Sequence, residues 1–574
     1  MIVPAPVLLY SGQAVLRKIT LWLMRRPDSP FTILLVLAIF LCAFHGVRLP
    51  PVLHAAELSA DHGPMQPGYV VPNAWPQSSY EEYEPPARPV FDLRKFWMRA
   101  DLRVRPEWRN GVCFGGGAPR NGACNSLAPD GSGTGAFPGR SASDFFVQQW
   151  ARLGIGYDLS PDVNFYFEIE DSATWGGNGN PLNGGDGGDP LNHNCGSSQP
   201  GQCRLGIRAG YVLVRNVAGI QGFSIKAGRQ YLVMGNQRLF GHFDWANTGY
   251  SHDGVMLSYA TSSFDTKLGW FRHSDTDLAQ AAPYGSVGPN IPTPLPGYDG
   301  NADVDMVVLY NQIRSVPSMV IEPYYVLYHN RLSELANPGQ YNAKFSSQVR
   351  HMIGARAELR RGNWDFVHEI AYQFGRAADG AGADNRDNLR INAWASGTWL
   401  GYTWYDNRWK PRVAAGFDYA SGDGDANCVT PGGVVSRSCG GNANTFENFF
   451  PTNFLHVGYM LNGAWRNSVQ PHVNFQARPT ARDHIEIWAL RKYLASARDN
   501  WYRGSQGPLI FSRADNTANH VGDEIDVSWS HFFADGKVSL AVIYGHFFSG
   551  SYIRNQLGTS ADQDWGIVQL WTNF

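Results

Sequence analysis

The sequence predicts an all-β fold, a transmembrane antiparallel β-barrel of 18 strands, on three observations. Its last residues alternate, with Gly566, Val568, Leu570, Thr572 and Phe574 on one face and Ile567, Gln569, Trp571 and Asn573 on the other. Near the front, Met98, Ala100, Leu102, Val104, Pro106 and Trp108 alternate with Arg99, Asp101, Arg103, Arg105, Glu107 and Arg109. Between these ends, short turns and long Gly/Asn/Asp-rich connections follow one another in regular order. A period of two is that of a strand, whose successive side chains point to opposite faces. An oily face set against a charged one suits lipid outside and a wet lumen inside. The obvious partner of the last strand is the first, since a sheet that closes on itself leaves no free edge.

The composition fits this class. The 574 residues include 63 Gly, 26 Tyr, 31 Phe and 19 Trp, and only 17% are charged. Abundant glycine and aromatics suit short strands and the aromatic girdles at the two membrane interfaces. A mean hydropathy of -0.29 excludes a polytopic helical membrane protein, and a net charge of -2 gives no sign of nucleic acid.

In chain order, an apolar run from Phe31 to Phe44 follows Arg25 and Arg26 and reads as a secretory signal peptide over residues 1–56, with Met24 as an alternative start. A Pro-rich periplasmic leader over 57–90 precedes a barrel over 91–574. Of seven cysteines, Cys42 leaves with the signal. The other six fall into three local pairs, Cys113 with Cys124, Cys195 with Cys203, and Cys428 with Cys439, which read as disulfide-stapled loops of an exported protein.

The first strand is the alternating stretch from Met98. The second runs near Asp144 to Tyr157, with Ala151, Leu153, Ile155 and Tyr157 outward and Arg152 inward, turns at Ser160-Pro161-Asp162, and returns as Val163, Phe165, Phe167, Ile169. Further short turns stand at Ala218-Gly219, Ser262-Ser263, Ser315-Val316-Pro317, Arg361-Gly362, Asp406-Asn407, Thr480-Ala481 and Ala534-Asp535. Short turns on one side and long loops on the other are the outer-membrane arrangement, turns periplasmic and loops extracellular. The stretch Asn453 to Arg466 is also strand-like. Counting it would give an odd number, so it is assigned to the long loop after strand thirteen.

Several blocks resemble the alginate export proteins of the bacterial outer membrane. They are Gly228-Arg229-Gln230 through Gly235-Asn236-Gln237-Arg238-Leu239 to Asp244-Trp245-Ala246-Asn247 and His252-Asp253-Gly254-Val255; Ala420-Ser421-Gly422-Asp423 with Thr445-Phe446-Glu447-Asn448-Phe449-Phe450-Pro451-Thr452-Asn453; and Val521-Gly522-Asp523-Glu524-Ile525-Asp526 with Gly545-His546-Phe547-Phe548-Ser549-Gly550. The terminal strand is also similar to those of bacterial outer-membrane barrels, whose last aromatic residue is read by the assembly machinery. The resemblance implies a monomeric 18-stranded barrel in the outer membrane, surrounded by lipid and lipopolysaccharide, that exports an anionic polysaccharide. A periplasmic export complex is a further candidate partner.

Period-two assignment turns Arg99, Arg103, Arg105, Arg152, Arg204, Arg208, Lys226, Arg350, Arg356, Arg360, Arg390, Arg412 and Arg478 inward. Guanidinium forks bind carboxylates in pairs of hydrogen bonds without losing charge, so such a ladder suits a polyuronate. The best substrate-binding candidates are Arg103, Arg105, Arg152, Arg204, Arg208, Arg356, Arg390 and Arg412. The competing reading is that they pair with inward acids such as Asp101, Glu107, Glu168, Glu170, Glu358, Asp365, Glu369, Asp418, Glu486, Glu524 and Asp526 and hold the wall.

No cofactor is expected. Asp423, Asp425 and Asn427, or Asp186 and Asp189, could offer loop oxygens to Ca²⁺, although solvated loop acids explain them as well. His368-Glu369 lacks the second His of a zinc protease, Tyr372 standing in its place, and Ser251 lacks the closing Gly of a nucleophile elbow, so it reads as a rim residue. A channel is therefore expected rather than an enzyme. The alternatives are a general or uptake porin for small organic solutes, a barrel enzyme acting on lipid or polysaccharide, and an adhesin.

Overall fold

The structure, a computed structural model, describes residues 95–112, 114, 142–175, 205–247, 249–274, 304–330, 348–377, 389–424, 428–429, 435–436, 441–502, 508–510, 512–513, 515–558 and 561–573. The signal peptide, the leader, Arg204, Phe574, the proposed disulfide partners and four of the Ca²⁺ candidates lie outside the residues whose side chains are described.

Eighteen antiparallel strands form the wall. They are β1 (Phe96–Val112), β2 (Ala142–Ser160), β3 (Val163–Thr174), β4 (Leu205–Arg215), β5 (Phe223–Gln230), β6 (His252–Ala260), β7 (Phe264–Ser274), β8 (Val304–Ile313), β9 (Met319–Asn330), β10 (Gln348–Arg361), β11 (Trp364–Ala377), β12 (Leu389–Thr403), β13 (Arg412–Ala420), β14 (Ser468–Ala477), β15 (Asp483–Tyr493), β16 (His520–Phe533), β17 (Val538–Ser549) and β18 (Gln563–Asn573). Each pairs with its neighbours in sequence. The circle closes where β18 meets β1, Leu570 opposite Val104 and Trp571 opposite Arg103. Every turn expected from the sequence joins two of these strands, and the short and long connections alternate around the wall, which puts the long ones on the extracellular side.

Residues 453–466 are loop, containing one helical turn at Phe454–Val457. That settles the even count.

The wall faces follow the alternation that the sequence predicts. Met98, Leu102 and Trp108 on β1, Leu153 on β2, Phe165 and Phe167 on β3, and Val568 and Leu570 on β18 are exposed to the outside. Arg103, Arg105, Glu107, Arg152, Glu168, Ile567 and Trp571 point inward and are buried. Burying an unpaired charge is costly, so this interior must be filled with partners rather than left as a wide wet pore.

Two extracellular connections supply them. Residues 231–251 join β5 to β6 and residues 421–467 join β13 to β14, and they meet each other inside the barrel. Gly241 N donates to Phe450 O (2.9 Å) and Phe450 N to Leu239 O (2.9 Å), a short bridge that continues through Thr452 N to Gln237 O (3.0 Å). One apolar cluster joins Leu239, Phe240, Phe446, Phe449 and Phe450 of these loops to Met306, Val326, Met352, Ala393 and Ala395 of the inner wall. Thus part of the inner wall along β8 to β13 is apolar where the alternation rule expects it wet.

That difference moves Arg390. Leu389, Ile391 and Ala393 take the inward places on β12, Ala393 within the Phe446 and Phe449 cluster, and Arg390 points outward and is exposed. The polarity rule reverses there because the loop, not water, fills the lumen. Arg478 likewise leaves the lumen: it stands exposed just after β14, in the periplasmic turn.

Candidate functional site

The inward arginines of β1, β2 and β4 converge on the 231–251 loop, and those of β2 and β4 on a carboxylate there that was not among the candidates, Asp244. Arg152 grips it with a fork, Nη1 to Oδ2 and Nη2 to Oδ1, both 3.0 Å. Arg208 Nη2 donates to the same Oδ1 at 3.1 Å and to His242 O at 2.9 Å. Arg103 donates to Asp244 O (2.5 Å), Ala246 O (3.2 Å) and Asn247 Oδ1 (3.2 Å), and Arg105 to Trp245 O (2.5 Å). Four guanidinium groups on three wall strands therefore hold four consecutive loop residues.

The wall orients these groups before the loop arrives. The guanidinium groups of Arg103 and Arg152 each lie 3.6 Å from the Trp150 ring centroid, a cation–π arrangement that fixes their planes. Glu170 accepts from Arg152 Nε (2.5 Å), and Glu107 forms an ion pair with Arg105, Oε1 to Nε at 2.7 Å. Gly249 is needed beside them: a Cβ there would stand 2.0 Å from Arg208 Nη2.

Asp244 is electrostatically committed to this place. Burial pushes its carboxyl up, but Arg152 first and Arg208 after it outweigh that and hold it well below the ordinary carboxylate range. Burial pushes the His242 imidazole down, so it stays neutral and its Nδ1 accepts the Asp244 N–H at 3.1 Å. For a carboxylate whose folded value is depressed, the ion-pair stabilisation is fully present above the unfolded value, about 3.9 for Asp, and is lost only as pH falls through the lower folded value. The single-channel conductance of the wild type should therefore stay the same from pH 7 to pH 4. A several-fold rise at pH 4 would contradict the pairing.

The second loop is tied to another arc of the wall, β15 and β16. Lys492 Nζ on β15 donates to Val457 O (2.6 Å), Asn462 O (2.6 Å) and Glu524 Oε2 (2.7 Å). Tyr459 N reaches Asp526 Oδ2 at 2.9 Å and Tyr459 OH reaches Glu486 at 2.8 Å. Gly458 permits this approach, with φ +93 and no room for a Cβ, which would meet Glu524 Oε1 at 2.1 Å. Between the two anchors, Trp245 stacks on Phe454 at 4.7 Å.

Other expected lumen residues serve the wall itself. Arg412 forms a fork with Asp365 (2.9 and 2.6 Å), and Arg356 sits between Glu322 and Glu358. Arg238, missed because it lies in a non-periodic loop, bridges that loop to Asp418 at 3.1 Å. Ser251 is fully buried, accepting from Arg208 Nη1 (2.9 Å) and donating to Arg208 O (2.7 Å), so it belongs to the cradle and not to the rim. His368 contacts Thr398, and Asp423 accepts from Asn444 N at 2.9 Å. Among the described residues no three His, Cys, Asp or Glu side chains gather as for a metal ion.

The alginate export family matches residues 147–566. No curated protein sequence matches the chain. Among solved structures it is similar to three Pseudomonas aeruginosa proteins. OccK11 (OpdR) is 11% identical with a TM-score of 0.43, covering 83% of this chain and 96% of that one. OccK3 (OpdO) is 10% identical with a TM-score of 0.45, covering 83% and 95%. OpdK with vanillate is 9% identical with a TM-score of 0.44, covering 83% and 98%. The two loops that fill the lumen are the same stretches whose residues resemble the family, and the match extends over more than two thirds of a closed antiparallel barrel; this outer-membrane channel belongs to the alginate export family.

Proposed function

We propose that the channel exports an anionic polysaccharide of the polyuronate class, and that Arg103, Arg105, Arg152 and Arg208 form the carboxylate-handling part of its path. The observation that carries this reading is the hold of Arg152 and Arg208 on the Asp244 carboxylate, because a site that binds one carboxylate with a fork and a further guanidinium hydrogen bond has the chemistry to bind a uronate carboxylate in its place. Asp244 then acts as an internal stand-in for cargo, and passage requires that the 231–251 loop leave the cradle. Arg204, Arg356 and Arg412 remain candidates for the rest of the path, the last two after exchange with their wall acids.

Planar-bilayer recording tests it. A channel whose loop has been released should prefer anions, and soluble oligouronates should block its current where neutral oligosaccharides of the same length do not. Replacing Arg103 and Arg105 together by Gln in that background should weaken the block about tenfold or more, as expected for lost hydrogen bonds to charged groups. Cation preference with indifference to oligouronates would favour a porin for small organic solutes instead.

A further inference from the structure

Arg390, absent from the lumen, stands opposite Arg376 of β11 in the cross-strand register. Both side chains are exposed on the outer wall, since Ala377, Leu389 and Ile391 beside them are the buried inward residues. They lie at the extracellular ends of β11 and β12, one residue from where each strand stops or starts. Like charges directly opposite each other destabilise an antiparallel pair, so the arrangement calls for a compensating anion.

The protein supplies none among the described residues. Neither guanidinium has an ion-pair or hydrogen-bond partner there, and the outward residues nearby are His351, Phe374, Tyr372, Asn392 and Trp394, with no acid. Elsewhere at the same end of the outer wall, charges are matched across strands: Arg229 with Asp253 at 3.0 Å, Arg491 with Asp523 at 2.6 Å, His546 with Asp564 at 2.7 Å. Among the described residues, Arg376 and Arg390 show no such match.

Immediately below the two arginines runs an aromatic band. Tyr372, Phe374 and Trp394 are exposed, Trp394 stacks on Tyr419 at 4.3 Å, and Phe374 on His351 at 5.0 Å. Such bands mark the membrane–water interface, so the arginines sit at headgroup height with lipid-facing surface beneath them. We propose that Arg376 and Arg390 together bind the phosphate of a phosphorylated glycolipid of the outer leaflet, its acyl chains lying against Ile370, Phe374 and Trp394. Two adjacent forks suit one phosphate, which offers three equivalent acceptor oxygens, and the aromatic band distinguishes a lipid from a free ion. This inference stands independently of what passes through the lumen.

The test is native mass spectrometry of the full-length protein in detergent, titrated in separate arms with bisphosphorylated lipid A, with the same lipid after phosphatase treatment, and with inorganic phosphate. The wild type should retain the bisphosphorylated lipid at least tenfold more tightly than either other probe. Arg376→Gln/Arg390→Gln should lose about tenfold or more of that affinity, while Arg491→Gln, whose parent is matched by Asp523, should lose nothing. In lipid-free detergent the double variant should resist heat at least as well as the wild type, because a repulsion has been removed. Adding the lipid should then raise the unfolding temperature of the wild type only. Equal lipid affinity in the wild type and the double variant overturns the site, and inorganic phosphate binding as tightly as the lipid overturns its assignment to a glycolipid.

Discussion

Replacing Asp244 by Ala is expected to open the barrel. The change leaves Arg152 and Arg208 facing each other across an emptied cradle, and removing one partner of a buried ion pair costs about 3–5 kcal/mol. At about 1.4 kcal/mol per factor of ten, the seated loop should become roughly 10²- to 4 × 10³-fold less populated relative to the released one. Single-channel recordings should show a low wild-type conductance and a conductance several times larger in the variant, with unchanged outer-membrane levels. The double variant Asp244→Ala/Arg152→Ala should not add the two single effects, because both changes remove the same interaction. Additive effects, or a wild-type current equal to that of Asp244→Ala, would show that the 231–251 loop does not close the pore.

The second large effect concerns the seam. Leu570 lies in the middle of β18, with Val104 of β1 on one side and Leu540 of β17 on the other. The wall carries proline at Pro106, Pro323 and Pro471, but a proline at 570 would remove a ladder N–H from the strand that closes the barrel, which is paired on both sides. Leu570→Pro should reduce the amount of closed barrel by about tenfold or more, read as loss of the fast-migrating band that an unboiled barrel gives on a gel. Leu570→Val, which keeps the N–H and the oily outward side chain, should assemble normally. A heat-modifiable Leu570→Pro protein at wild-type level would mean that β18 is not an obligatory closing strand.

The wall was legible in the sequence because its information is local. A period of two, a charged face and a short turn can each be read within a dozen residues, and β1, β2, β3 and β18 appear where those signals place them. The same signals identified Arg103, Arg105, Arg152 and Arg208 as inward. Their partner could not be read that way. Asp244 sits in an aperiodic loop, 92 residues from Arg152, and meets it only because that loop folds into the lumen. Arg390 was misplaced for a related reason: the rule that oily residues face lipid assumes water in the lumen, and beside β12 the lumen holds Phe446 and Phe449. Where a loop folds inward, inside and outside exchange their polarity, and only the three-dimensional arrangement shows it.

Both lumen-filling loops are tethered at the extracellular strand ends, the first between β5 and β6 and the second between β13 and β14. The barrel is therefore mechanically one-sided. On the proposed export reading, a chain advancing from the periplasm would push each loop toward its own hinges, whereas a body pressing from outside would press Asp244 onto Arg152 and Gly458 onto Glu524. A plug hinged on its exit side would, on that reading, work as a check valve, yielding to cargo from the periplasm and tightening against intrusion.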